Sequence, residues 1–225
     1  MARAPNLLND DGSASMATLF MMSHHGLRRD IARFRVALEK VTESDATSVE
    51  ALRAEWESYR ATLHGHHEME DTRVFPHLAG EQPALRPTIE RLMADHRRID
   101  PLLERGDRAF QELPKAEAAA AVVAELSALL DEHLAIEEAE VVPFLRGARE
   151  FPAPTSEAEA ELYAEGFAWS MHGIAPDILE RVGAMLPESL TSRLTAARAA
   201  FAKRCERVWG SASAGASRTP VPDVH

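Results

Sequence analysis

Two stretches of this sequence pair a histidine with a carboxylate at the spacing of one helical turn. Residues 66–78 read HHEMEDTRVFPHL and residues 133–145 read HLAIEEAEVVPFL. Set side by side, His66 matches His133, Glu70 matches Glu137, Asp71 matches Glu138, and Val74, Pro76 and Leu78 match Val141, Pro143 and Leu145. On a helix, positions i and i+4 lie one above the other on one face. Each copy therefore presents an imidazole and a carboxylate side by side. That is a good pair of ligands for iron, manganese or zinc, and two such pairs point to two metal ions.

The elements that carry these pairs follow from apolar spacing. Phe20, His24, Leu27, Ile31, Phe34, Leu38 and Val41 form the inward stripe of a first helix starting near Ser15. A second helix, Ser48 to Leu78, has the stripe Leu52, Trp56, Tyr59, Leu63, His66, Glu70 and Val74, and Pro76 is expected to end or kink it. A third carries Leu85, Ile89, Leu92, His96, Ile99, Leu103 and Phe110, with a kink expected at Pro101. A fourth, Lys115 to Leu145, carries Val122, Leu126, Leu129, His133, Glu137, Val141 and Phe144 and is expected to end at Pro143. The odd helices repeat as well: His24-x2-Leu27-x3-Ile31 matches His96-x2-Ile99-x3-Leu103. The repeating unit is thus a helical hairpin used twice. Two hairpins predict an all-α fold, an antiparallel up-down-up-down four-helix bundle with an approximate twofold axis.

On that register His24, His66, Glu70, His96, His133 and Glu137 all face the core. A buried ionised carboxylate needs a partner or a metal, and two carboxylates suffice to bridge two cations. Six side chains leave the coordination of two metals incomplete, which is what reaction with a small molecule needs. His25 is the alternative to His24. Asp71 and Glu138 are expected to orient the imidazoles. His67 corresponds to Leu134 in the other copy and His77 to Phe144, so both are expected to pack or support rather than ligate. His64 reads as surface, and the pairs Arg28-Arg29 and Arg97-Arg98 as a solvated face.

Residues 1–14 read as a flexible arm, 15–147 as the bundle, 148–209 as a helical C-terminal extension packing on it, and 210–225 as a disordered tail. Within the extension, helical stretches are expected over 157–185 and 188–209. His172, in GFAWSMHGIAP, is a candidate lid residue or proton donor if that segment covers the site. A formal charge of −11 argues against nucleic-acid and membrane partners and is compatible with cations. Cys205, the single cysteine, excludes an internal disulfide. No apolar run reaches the ~20 residues of a membrane span, and the expected setting is the cytoplasm. Whether the Trp-containing extension drives oligomerisation is left open.

The residues that bear these expectations also carry a resemblance. His24 followed by LRRD, His66-x3-Glu70 with VFP, His96 in DHRRI and His133-x3-Glu137 with VVP together resemble the hemerythrin-like, or HHE cation-binding, domain over residues 18–147. The usual di-iron carboxylate pattern is different, with Glu before His at spacing three. The resemblance implies a non-haem di-iron centre bridged by the two glutamates. It also implies chemistry with dioxygen, nitric oxide or peroxide, or iron and oxygen sensing. A zinc or metal-free interaction protein is the competing class. Oxygen-carrying hemerythrins have a further His four residues after the third-helix ligand and an Asp in the fourth helix. Here Asp100 and Glu137 stand in those places, which argues against simple reversible oxygen carriage.

Overall fold

The structure is a computed structural model that describes residues 7–42 and 46–210. Among the described residues there are only helices and connections, with no strand. Four long segments surround the polar centre: α1 (Met16–Leu38), α2 (Ala46–Met69) with its continuation, α4 (Arg86–Gln111) and α5 (Glu117–Glu140). Contacts run from α1 to α2, from α2 to α4, from α4 to α5 and from α5 back to α1, closing a ring.

Most of the stripe residues are buried. Leu27, Ile31, Phe34, Leu52, Trp56, Tyr59, Leu63, Ile99, Leu103, Phe110 and Leu126 share one core. Trp56 stacks on Phe110 at 4.5 Å, and Phe34 stands edge-on to both and to Trp209. Gly106 makes the stack fit, because a Cβ there would fall 2.0 Å from the Trp56 ring. Phe144 departs from the expected stripe: it is 45% exposed.

The two proline expectations resolve differently. The second helix does not stop at Pro76. It passes through a π turn, Glu70–Val74, in which the Phe75 N–H bonds the Glu70 carbonyl, and continues as α3 (Phe75–Glu81). The wider turn makes room for the Pro76 ring, and its missing N–H falls in the first turn of α3, where proline is tolerated. In the second copy α5 does end, at Glu140, and Pro143 sits in a 3₁₀ turn, Val142–Leu145. α4 runs through Pro101 as one continuous helix.

The amino-terminal segment, expected as a flexible arm, is docked where it is described. Leu7 and Leu8 are buried, and the Thr18 hydroxyl donates to the Leu7 carbonyl at 2.6 Å. Its apolar residues join Phe20, Met21 and Met22 and residues of the extension in a second core. The extension holds three helices rather than two: α6 (Glu157–Met171), α7 (Pro176–Gly183) and α8 (Glu188–Trp209). Gly173, at φ +92°, reverses the chain after α6, and Pro176 opens α7. α6 packs on α1 and α8. The disordered tail expected over 210–225 lies outside the described residues beyond Gly210. No helix among the described residues is long and apolar enough to cross a membrane.

A buried polar cluster fastens α6 to α1. Asp30, 2% exposed, receives bonds from Arg29, Arg33 and the Trp169 indole. Arg29 also donates to the carbonyls of Trp169 and His172 at the end of α6, where a cation suits the helix dipole. Arg29 is thus buried, whereas sequence alone placed it on a solvated face. Burial raises the Asp30 carboxyl, but the two guanidinium groups outweigh it and hold the group below its ordinary range.

Candidate metal centre

All six residues singled out as metal ligands by sequence converge in the interior of the ring. Their ligand atoms form two overlapping groups, each within 4.8 Å: His24, His66, Glu70 and Glu137 in one, and His67, Glu70, His96 and His133 in the other. Glu70 belongs to both. Its Oε1 lies 3.0 Å from His66 Nε2 and its Oε2 lies 3.5 Å from His96 Nε2. Glu137 is placed the same way: Oε2 is 3.3 Å from His24 Nε2 and Oε1 is 3.3 Å from His133 Nε2. Each carboxylate therefore turns one oxygen to each histidine set.

The i,i+4 spacing sets each imidazole–carboxylate pair, and the opposing hairpin supplies the support. His24 Nδ1 lies 3.0 Å from Glu138, and His96 Nδ1 lies 2.9 Å from Asp71. With an ionised carboxylate at Nδ1, that nitrogen carries the proton and Nε2 is left as a lone pair facing inward. The acid after the first glutamate thus orients the second hairpin's histidine, and the acid after the second glutamate orients the first hairpin's. Arg28 pairs with Glu138 from outside. Asp95, itself buried, lies 4.0 Å from His133 Nδ1.

The donor set fits a pair of cations. Glu70, Glu137, His24 and His133 are fully buried. His24 Nε2, His66 Nε2, His67 Nε2 and all four oxygens of Glu70 and Glu137 lack a hydrogen-bond partner. Buried polar atoms without partners are rare because each costs roughly 1–3 kcal/mol, and more for charged groups. Burial, and then the neighbouring Glu137 carboxylate, push the Glu70 carboxyl well up. Burial also raises Glu137, but the close imidazoles of His133 and His24 outweigh it and hold that carboxyl well down. Burial lowers the His66 imidazole to about 4. Two buried carboxylates that repel one another, ringed by imidazole nitrogens, are an arrangement a divalent metal would bind and relieve.

His67 was expected to pack or support, and the structure places it among the candidate ligands. Its ring stacks on His96 at 4.0 Å. The two sides of the centre are therefore unequal: two imidazoles, His24 and His66, against three, His67, His96 and His133. The repeat concealed this because Leu134 occupies the matching position, yet the adjacent pair His66-His67 was itself a signal. Asp100, at His96 plus four, points outward.

Other candidates resolve clearly. His24 enters the centre, whereas His25 Nε2 lies 3.2 Å from the His172 carbonyl. His172 belongs to neither group; its ring meets Phe201 at 5.4 Å. His64 and His77 are exposed. A groove of about 440 Å³ reaches His66 from outside, walled by residues that include Phe20, Phe144, Phe151 and Phe167. The extension thus contributes to a covering wall through Phe151 and Phe167 rather than through His172.

Neither curated proteins nor solved structures yield a match to this chain. The family model for the hemerythrin HHE cation-binding domain matches residues 15–161. That span starts at the cap of α1, covers the whole ring and reaches into α6. With this match over the segment that builds the centre, the chain belongs to the hemerythrin HHE cation-binding domain family.

Proposed function

We propose that this chain holds two iron ions between its hairpins and reacts with dioxygen, peroxide or nitric oxide. The observation that carries this reading is the placement of Glu70 and Glu137, each offering one oxygen to each histidine set. The closed ring of contacts and the short connections support the up-down-up-down order, with the two halves related by an approximate twofold axis. His24, His66, Glu70 and Glu137 would hold one ion, and His67, His96 and His133 with the same two carboxylates the other. An iron pair would supply electrons to a small oxidant; manganese or zinc would fit the same donors.

The chain's own residues do the rest. Glu138 and Asp71 keep the His24 and His96 lone pairs turned inward. Phe20 lies against both His24 and His66, at 4.7 and 5.3 Å, and keeps bulk water from that side. His66, at 9% exposure the least buried of the group, faces the groove through which a reactant would enter. The acidic charge and the lone buried Cys205 suit a reducing cytoplasm.

The cost of burying Glu70 and Glu137 side by side, with oxygens that lack hydrogen-bond partners, supports a second reading. A protein ordered by its metal is a sensor of that metal or of its oxidation, with no turnover. One experiment addresses both. Protein loaded anaerobically with iron(II) is exposed to oxygen and its optical spectrum followed. New near-ultraviolet and visible bands at two irons per chain are expected. Bands that decay with catalytic oxidant consumption favour an enzyme, and a stable end state favours a sensor. No iron uptake would overturn both.

A further inference from the structure

The groove over His66 is larger than a diatomic gas or peroxide requires. Its volume, about 440 Å³, lies in the range of pockets that hold small organic ligands, roughly 300–1,000 Å³. Its walls are chiefly apolar: Phe20, Met69, Leu78, Phe144, Phe151 and Phe167. Ser23, His77, Glu81 and Gln82 lie among the lining as well, with His77 paired to Glu81 at 3.8 Å. Phe144 stands 45% exposed in this wall although the repeat assigns it to an inward stripe. Its ring joins none of the three apolar cores and lines the groove instead.

Two further features tie the groove to the metal centre. It ends on His66, which belongs to the half of the centre with only two imidazoles. And part of its wall lies beyond the four-helix ring: Ala148, Phe151 and Phe167 come from the linker and α6. A broader cleft of about 840 Å³ between α2, α6 and α8 includes none of the candidate ligands. Size alone therefore does not select the groove; its contact with His66 does.

We propose that this groove binds an organic molecule with a one- or two-ring apolar body and a single uncharged polar head, held beside the His24/His66 half of the centre. This rests on the two-metal reading given above and specifies its substrate class. The aromatic walls match a ring body by area and by stacking geometry. Ser23, His77, Glu81 and Gln82 beside them offer hydrogen-bond partners to a hydroxyl head, and the pair His77–Glu81 already satisfies itself.

The probe is 1-naphthol, titrated by fluorescence into the full chain, metal-free and loaded with cobalt(II). Metal content is measured first on the same preparation. Saturable binding at one site, with Kd in roughly the 1–100 μM range, is expected in both forms. Binding is expected to shift the visible spectrum of the cobalt form. Ala148→Trp, which fills the groove, should weaken binding about tenfold or more with metal content unchanged. Ala196→Trp in the broader cleft should leave binding as it was. No saturable binding, or binding indifferent to Ala148→Trp, would overturn the proposal. Binding without a cobalt spectral shift would overturn the placement beside the metals. Failure of cobalt or iron uptake would instead strike the two-metal reading, and the metal-free titration would still decide the groove.

Discussion

At the residue scale, the centre is a problem of buried charge. Glu70 and Glu137 lie side by side at 0% exposure, with oxygens that no protein donor satisfies. Glu70→Ala should leave fewer than two metal ions per chain, because it removes an oxygen from both halves; metal analysis of the purified variant checks this, and a full complement would sink the bridging role. Glu138→Ala should keep the fold by circular dichroism yet weaken metal binding about 10- to 100-fold, the usual effect of losing an orienting carboxylate. His67→Ala should weaken one metal and spare the other, a split that a two-step titration resolves. Six of the seven residues in the two groups were legible from sequence: His66, Glu70, His133 and Glu137 by i,i+4 spacing on a core stripe, and His24 and His96 by their place on the stripes of the repeated odd helices. His67 was not, since symmetry between the copies sets it against Leu134, which cannot ligate. Arg29 was misplaced for a related reason: a guanidinium reads as surface until the helix that covers it is known.

Elements position the centre through close approaches that spacing does not reveal. Gly65 sits inside α2, yet nothing lies within 4 Å of a Cβ there. Gly65→Ala should therefore stabilise the protein by about 0.5–1 kcal/mol from helix propensity alone. Gly106→Ala, facing the Trp56 ring, should destabilise it by about 1–3 kcal/mol. Thermal or denaturant unfolding of the pair checks both signs. The π turn at Glu70–Val74 was likewise invisible: Pro76 announced an interruption but not its form. Sequence resolved the existence and face of the long helices, and missed how α2 continues and how Gly173 divides the extension. At the α1–α6 contact, Asp30→Ala removes the carboxylate that Arg29, Arg33 and Trp169 address. The expected loss is roughly 3–5 kcal/mol, as for other broken buried ion pairs, read as a lowered unfolding midpoint.

On the scale of the whole molecule, the extension lines the groove over His66, and the amino-terminal segment packs with it against α1. Leu7, Phe20, Phe167 and Met171 share one core, so the covering elements are packed directly on the helix that carries His24. Acid should loosen this cover. Burial, and then Arg29 and Arg33, hold the His172 imidazole at about 4 against an ordinary 6.5. The unfolded chain thus takes up the proton first, and stability falls as pH drops from 6.5 toward 4. His172→Phe should flatten that part of the pH dependence relative to the parent chain, with the shared metal-site histidines cancelling in the comparison. The central claim, two metals bridged by two glutamates, is tested most directly by diffraction from iron-loaded crystals at the iron absorption edge. The account predicts two anomalous peaks, one between His24 and His66 and one among His67, His96 and His133, with Glu70 and Glu137 reaching both. A single peak, or two peaks with either glutamate turned away, would contradict it.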